Sequence, residues 1–182
     1  MDEISLHLLD IIENCIRAGA RVIRLEVAMD RAADTLSIVV EDDGRGMPAD
    51  LAERVFDPFV TTRTERRFGL GLPMLKQAAE QAGGSARLES VPGKGTRVEA
   101  RFCLSHPDRQ PLGDLGQTVA AVLAHEADFR LEVLLVGDGP AYLLESAALE
   151  EELGTGCFRD GAVLTFVAET VLEKQSSLGL KQ

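Results

Sequence analysis

Four polar residues near the start of the sequence are spaced so that they could share one face of a helix. His7, Asp10, Asn14 and Arg17 are separated by three, four and three positions, and residues at these separations lie side by side on an α-helix. A carboxylate, an amide and a guanidinium are thereby aligned for chemistry. The alternative is that they form the solvated face of the helix. The apolar residues follow a separate stripe: Ile4, Leu8, Ile11, Ile12, Cys15 and Ile16.

A second candidate is an acidic, glycine-rich loop that follows a predicted strand. Leu36, Ile38 and Val40 are apolar residues at every second position, and Asp42 continues this phase. Because successive strand residues point to opposite faces, we expect Asp42 to point inward. A carboxylate there could accept a hydrogen bond from an adenine amino group, while Gly44 and Gly46 would let the backbone approach the ring. An ordinary Asp-Gly turn is the alternative.

The third candidate is a pair of glycines at the start of a predicted helix. Gly69, Leu70 and Gly71 lie where free backbone N–H groups and the helix dipole favour anions. The segment is neither a phosphate-binding loop ending in Gly-Lys-Ser/Thr nor a dinucleotide-binding turn, because the third glycine and the preceding strand are missing. Three basic residues lie just before it: Arg63, Arg66 and Arg67.

Hydrophobic periodicity predicts the elements that must position these residues. Helices are predicted at residues 4–18, 51–55, 70–82, 114–125 and 162–173. Strands are predicted at residues 23–29, 36–40, 86–91, 96–103, 129–136 and 141–144. Helices mixed with antiparallel strands favour an α/β fold of the α+β type, arranged as a two-layer α/β sandwich.

Taken together and in this order, the segments resemble the sequence boxes of the histidine-kinase-like (GHKL, or Bergerat) ATPases. Residues 7–20, 42–46, 56–59 and 69–72 are similar to the N, G1, F and G2 boxes. Residues 83–96 resemble the closing strands of sensor histidine kinases. The similarity covers roughly residues 4–104 and implies the Bergerat ATP-binding fold for that part of the chain.

The resemblance implies ATP and Mg²⁺ as ligands. Asn14 would help to hold Mg²⁺ against the phosphates, and Arg17 would reach the phosphates. Asp42 would bind adenine, and Thr96 would support the adenine pocket. Residues 60–68 would form a short lid over the nucleotide. The implied nucleotide-binding residues are Asn14, Arg17, Asp42, Gly44, Gly46, Phe59, Arg63, Arg66, Arg67, Gly69, Leu70, Gly71 and Thr96.

Asp10 is the candidate general base, because gyrase B and MutL-type members of the family carry a water-activating glutamate at the matching position. Aspartate is one methylene shorter, so its carboxylate reaches less far toward a water. His7 is a poor phospho-acceptor, since a histidine on the nucleotide-binding helix cannot easily meet the γ-phosphate in line.

The sequence departs from the family's pattern at three points. Arg67 or Phe68 stands where the G2 box has its first glycine. The first strand of many members is absent. The chain begins at the N box, so we expect any phospho-acceptor histidine to lie on another protein.

Composition limits the partners. The net charge of −11 argues against a nucleic-acid partner, which needs clustered Lys and Arg. The sequence has neither a basic leader nor a run of about 18 apolar residues, so we expect a cytoplasmic protein with no membrane span. Cys15, Cys103 and Cys157 are far apart and are expected to be reduced.

A domain boundary is predicted within residues 105–116, which contain two prolines and two glycines. We expect an ATP-binding domain over residues 1–104 and a small acidic α+β domain over residues 105–182. The second segment holds 5 basic and 13 acidic residues, so it could attract a basic partner or form a homodimer. Residues 175–182 are expected to fray.

The expected function is that of a Mg-ATP-binding protein of the histidine-kinase type, acting as a protein kinase in trans or as a slow ATPase. The alternative is a non-catalytic switch, similar to anti-sigma-factor relatives, that binds a partner protein under the control of ATP or ADP. The two hypotheses differ in whether an acceptor on the partner gains phosphate.

Overall fold

An amphipathic first helix organises the core of the protein. In the computed structural model, which describes residues 3–56 and 71–180, helix α1 spans Ile4–Arg17. The predicted apolar stripe is buried along it, with Ile4, Leu8 and Ile12 at most 1% exposed. Each such side chain contributes about 1.5–3 kcal/mol of burial free energy. The helix is therefore fixed by its apolar face, which leaves its other residues available for a site.

The other elements follow α1 in chain order. The strands are β1 Val22–Asp30, β2 Thr35–Asp42, β3 Ser85–Val91, β4 Gly95–Cys103, β5 Arg130–Val136 and β6 Tyr142–Glu145. The helices are α2 Ala49–Ala52, α3 Gly71–Gln81, α4 Leu115–Leu123, α5 Ser146–Leu153 and α6 Gly161–Ser177, with a 3₁₀ turn at Cys157–Arg159. No helix in the described ranges has the length and apolarity needed to cross a membrane.

The six strands form one mixed sheet in the order β3-β4-β2-β1-β5-β6. All neighbours are antiparallel except β1 and β5, which are parallel. Val27, Ile38 and Leu135 share one face through the strand register, and that face is buried under the helices. The opposite face carries ion pairs such as Arg24 with Glu132 at 2.7 Å. The predicted two-layer α+β sandwich is therefore confirmed.

Residues of the C-terminal segment complete the structure around α1. The first N–H groups of a helix have no acceptor inside the helix, and here Ile4 N and Ser5 N donate to Pro111 O and Leu112 O at 3.0 and 2.8 Å. Helix α4 packs against α1, and α6 packs against α4. Strands β5 and β6 extend the sheet beyond β1. The division of the chain at residue 104 stays a prediction, and the sheet is continuous across it.

The C-terminal segment differs from the predictions in two ways. Helix α5 was not predicted from the sequence. The expected fraying of residues 175–182 is wrong for residues 175–180: Gln175 is only 1% exposed. Its Nε2 donates to Gly113 O at 2.7 Å, and its Oε1 accepts from Leu115 N at 3.1 Å. These bonds, with buried Leu178 and Leu180, hold residues 175–180 against the start of α4.

Candidate functional site

A cavity of about 700 Å³ opens between the C-terminal half of α1, the loop after β2, and strands β3 and β4. This volume falls in the range of small-molecule sites. Polar groups from α1 and from the end of β2 meet apolar walls. The cavity is lined by Ile11, Asn14, Cys15, Arg17, Ala18, Asp42, Arg45, Gly46, Met47, Pro48, Leu51, Leu72, Leu88, Thr96 and Val98.

Asp42 is the buried carboxylate of the cavity. It ends β2 and is directly opposite Thr96 of β4, so that both side chains face the same space. Its side chain is 7% exposed, and its Oδ1 accepts from Gly44 N at 2.7 Å. Burial raises the pKa of Asp42, while the Gly44 N–H opposes that effect. The remaining lone pairs can accept hydrogen bonds from a ligand.

The two glycines after Asp42 are required by the protein's own packing. A Cβ on Gly44 would lie 2.8 Å from Asp42 Oδ1 and 3.0 Å from Ala18 Cβ. Gly46 has a φ of +63°, and a Cβ there would lie 2.1 Å from Val91 O. The sequence predicts that these glycines make room for the adenine ring. The structure gives a second reason for them, which is that a side chain at either position would collide with neighbouring atoms of the protein. They allow the loop to approach α1 and the end of β3.

A serine that the sequence analysis did not select holds this loop to the sheet. Ser90 Oγ accepts from Met47 N at 2.9 Å and donates to Gly95 O at 3.0 Å. It also lies 2.9 Å from Thr96 Oγ1. The cavity-lining hydroxyl of Thr96 is therefore oriented by a neighbour that does not itself line the cavity.

Asn14 and Arg17 line the same cavity on the α1 side. Arg17 Nη1 donates to Asn14 Oδ1 at 3.2 Å, and Nη2 donates to Glu13 Oε2 at 2.6 Å. Asn14 Nδ2 is buried and has no hydrogen-bond partner among the described residues. A buried donor without an acceptor is costly, so this amide suits a polar ligand such as a phosphate or a metal-bound water. Its Oδ1 is a hard oxygen of the kind Mg²⁺ prefers.

Asp10 lies one turn before Asn14 but is not among the described residues that line the cavity. It packs beneath the first residue of α3: a Cβ added to Gly71 would lie 2.6 Å from Asp10 Cβ and 3.2 Å from Asp10 Oδ2. The start of α3 and the candidate general base are thus adjacent. Among the described residues, Asp10 does not line the cavity that Asp42 and Thr96 line.

His7 corrects the idea that the polar face of α1 is solvated along its whole length. Its ring is fully buried, and its Nε2 lies 3.0 Å from Gln110 Oε1. Burial lowers the pKa of His7 below its ordinary value. The C-terminal segment covers this part of the helix, so His7 has a packing role at its N-terminal half.

Several implied nucleotide-binding residues lie outside the described residues, together with the expected lid at residues 60–68. They are Phe59, Arg63, Arg66, Arg67, Gly69 and Leu70.

Other lining residues were missed at the sequence level. Arg45 lies between the two selected glycines, so the loop pattern could have indicated it. Cys15 belongs to the apolar stripe and reaches the cavity wall, where burial and the nearby Asp42 charge raise the pKa of its thiol. Leu88 and Val98 come from the alternation of β3 and β4. Their place in the cavity depends on how the strands pair, which the local pattern does not specify.

Comparison with known proteins agrees with this geometry. Residues 2–106 match the family model described as "Histidine kinase-, DNA gyrase B-, and HSP90-like ATPase". The chain is 39% identical over 90 residues to the sensor protein ChvG of Rhizobium meliloti, covering 46% of this chain and 16% of that protein. It is 34% identical over 112 residues to the sensor histidine kinase ZraS of Escherichia coli O157:H7, covering 62% of this chain and 24% of that protein. The matched region thus spans a quarter or less of these relatives.

A solved structure shares the fold. It is titled "Crystal Structure of N terminal domain of a DNA repair protein", and it superposes with a TM-score of 0.56 at 15% sequence identity. The match covers 87% of this chain and 59% of that one. At this identity the likeness concerns the fold alone, and it extends past the residues matched by the family model.

Proposed function

Because this chain belongs to the histidine kinase-, DNA gyrase B- and HSP90-like ATPase family, we propose that it binds Mg-ATP in the cavity between α1 and β4 and transfers the γ-phosphate to a partner protein. Family membership supports ATP binding directly. The observation that carries the assignment of the cavity is the buried Asp42 carboxylate opposite Thr96, beneath apolar walls. A purine needs both a polar edge contact and apolar faces, and this arrangement supplies both.

Roles for the lining residues follow from their chemistry. Asp42 accepts a hydrogen bond from the adenine amino group, and Leu88 and Val98 contact the ring faces. Asn14 would hold Mg²⁺ through its Oδ1, and Arg17 would contact phosphate oxygens from the same end of α1. When bound, Mg²⁺ neutralises charge that develops on the phosphates.

The proposal places the acceptor away from the nucleotide-binding residues, and the positions of the histidines support this. All three histidines of the sequence lie in the described ranges, and none lines the cavity. His7 is the one on the nucleotide-binding helix, and it is fully buried and bonded to Gln110. The printed name of the relative ZraS, a sensor histidine kinase, supports phosphotransfer as the reaction class.

Titration calorimetry of Asp42→Asn tests the binding site. An amide can turn an N–H toward the adenine amino group, so losing this charge-assisted hydrogen bond should reduce ATP affinity about tenfold to a hundredfold. Asp43→Asn is the matched control. The Asp43 carboxylate accepts from Arg21 N and Val22 N at 2.7 and 2.9 Å and does not line the cavity. Equal affinities of wild type and Asp42→Asn would refute the assignment.

A second candidate function is an ATP-gated binding switch with little turnover. The position of Asp10 favours it, because this carboxylate packs under Gly71 and is not part of the described cavity lining. If Asp10 acts as a general base, Asp10→Asn should retain ATP affinity and lower turnover by about a hundredfold or more. Radiolabelled ATP incubated with the protein and a cell extract provides the assay. Turnover and acceptor labelling that are both absent in the wild type would favour the switch.

A further inference from the structure

A short chain of hydrogen bonds connects the loop after β2 to the polar end of the cavity. Ser90 Oγ is its centre, with Met47 N at 2.9 Å, Gly95 O at 3.0 Å and Thr96 Oγ1 at 2.9 Å. All three distances are those of good hydrogen bonds. Ser90 lies on β3, while Gly95 and Thr96 begin β4.

The chemistry of these partners fixes the direction of each bond. A serine hydroxyl has one proton and two lone pairs. A carbonyl can only accept, so the Ser90 proton is committed to Gly95 O. A backbone N–H can only donate, so one lone pair of Ser90 Oγ accepts the hydrogen bond from Met47 N. The contact with Thr96 then has a single solution, in which Thr96 Oγ1 donates to the second lone pair of Ser90.

The Thr96 hydroxyl therefore donates its proton to Ser90 and cannot donate a hydrogen bond to a ligand in the cavity. Thr96 and Asp42 are direct partners in the register of β4 and β2, and both line the cavity. An ionised Asp42 is an acceptor, and Thr96 Oγ1 exposes only lone pairs. Two hydrogen-bond acceptors thus face a ligand at this end of the cavity.

We propose that Ser90 is a positioning residue that sets base selectivity by holding the Thr96 hydroxyl as an acceptor. This inference rests on the proposed function, in which the base binds at Asp42. A 6-amino purine offers two N–H donors to such an edge, directly or through a water. A 6-oxo purine has an acceptor at position 6, where the two protein acceptors would oppose it, and its only donor on this edge is the N1 proton. The site rejects the 6-oxo base because of the orientation of one proton as well as the charge of Asp42.

The test compares ATP with ITP, whose bases differ at position 6 and in the N1 proton. Calorimetric affinities are measured with Mg²⁺ for wild type, Ser90→Ala, Ser90→Thr and Thr96→Val. Wild type should prefer ATP. In Ser90→Ala the Thr96 hydroxyl is free to rotate and donate to the 6-oxo group, so the ATP/ITP affinity ratio should fall about tenfold. Ser90→Thr retains a hydroxyl on the strand and should keep the wild-type ratio.

A merely structural role gives a different result. Losing the Met47 bond could loosen the loop, which would weaken both nucleotides by the same factor and leave their ratio unchanged. That outcome overturns the inference. Ser90→Ala added to Thr96→Val should not change the ratio further, because the hydroxyl it orients is already absent. A further change in the ratio in the double variant would likewise contradict it.

The same measurements also cover a Ser90→Ala variant that does not fold, and they separate failure of the inference from failure of the proposed function. If Ser90→Ala does not fold, Ser90→Cys retains nearly the same volume with a weaker donor and acceptor and should give an intermediate ratio; an unchanged ratio refutes the inference. Failure of the wild type to bind either nucleotide refutes the proposed function and this inference together. Wild-type preference for ATP with an unchanged ratio in Ser90→Ala refutes only the role of Ser90.

Discussion

Two features of the Asn14 side chain indicate that a polar ligand binds beside it. Its Oδ1 is held by Arg17, and its buried Nδ2 is without a partner in the described part of the chain. The residue is off the apolar stripe of α1, so its side chain contributes little to the core. A structural role would have left a satisfied amide, since buried polar groups are almost always hydrogen-bonded.

We therefore predict that Asn14→Ala weakens ATP binding mainly in the presence of Mg²⁺. Loss of one metal or phosphate contact should cost about 1.5–3 kcal/mol of binding free energy. Calorimetry in Mg²⁺ and in EDTA gives the comparison, and the unfolding midpoint should be close to that of wild type. An equal loss of affinity in EDTA would assign Asn14 to the nucleotide rather than to the metal.

His7 makes the stability of the fold dependent on pH. Burial lowers the pKa of the folded ring, while the pKa of the unfolded ring is about 6.5. Between the lowered folded value and about 6.5 the unfolded state binds more protons, so the free energy of unfolding decreases as the pH falls through this window. The contribution of His7 to the slope is at most about 1.4 kcal/mol per pH unit.

Urea unfolding of His7→Gln at several pH values between 7.5 and 5 should show a flatter dependence than wild type. Glutamine can still donate to Gln110 but does not titrate. His125→Gln is the control, because His125 is exposed, and it should behave as wild type does. Parallel curves for His7→Gln and wild type would show that His7 does not set the slope.

The sequence specified some site residues better than others. Strand alternation was sufficient to turn Asp42 inward, because one face of β2 is buried throughout. Helical spacing grouped Asn14 with Arg17, and both reach the cavity. Ser90 and Cys15 were not selected, since the position of Ser90 beside Thr96 depends on strand pairing and that of Cys15 beside Asp42 depends on the packing of α1. Such tertiary neighbours leave no periodic signal in the local sequence.

At the scale of elements, the contact between α1 and α3 includes a close approach at a residue without a side chain. Gly71 begins α3, and any Cβ there would overlap Asp10. This close approach brings the helix start to the polar face of α1. The elements themselves were predictable from periodicity, except α5. That helix buries only Ser146, so no apolar stripe marks it.

Gly71→Ala should therefore destabilise the protein by about 1–3 kcal/mol, because Asp10 or the start of α3 must move. Gly161→Ala is a matched control. Gly161 begins α6, and an added Cβ meets no atom within 4 Å. That substitution should be neutral or stabilise by up to about 1 kcal/mol. Urea unfolding measures both variants, and equal effects would contradict the proposed clash.

At the scale of the whole molecule, the C-terminal segment is integrated with the rest. Leu131, Val133 and Leu135 of β5 are at most 1% exposed and lie beside β1 in the sheet. The composition of residues 105–116 predicts a domain boundary, which stays a prediction, and in the structure most of this segment connects β4 to α4. Composition does not reveal whether the next strand joins an existing sheet, since parallel pairing between distant residues has no local signature.

We predict that a chain ending at residue 104 does not unfold cooperatively. This shortened chain lacks β5, which pairs with β1, and it lacks the carbonyls of residues 111 and 112 that accept from Ile4 N and Ser5 N. Circular dichroism during urea unfolding, with nucleotide binding as a second measurement, tests this expectation. A chain ending at residue 180 serves as the control. Cooperative unfolding and ATP binding by residues 1–104 would instead support an independent domain.

The parallel pairing of β1 with β5 also sets an order of events during translation. Ala28 pairs with Val136, so the ribosome must add about 100 residues after β1 before β5 exists, which takes about 5–20 s at about 5–20 residues per second. For that interval β1 lacks its β5 neighbour, and strands with unpaired backbone groups recruit strands from other chains. Neighbouring nascent chains on one polysome are therefore exposed to mispairing until synthesis passes β5.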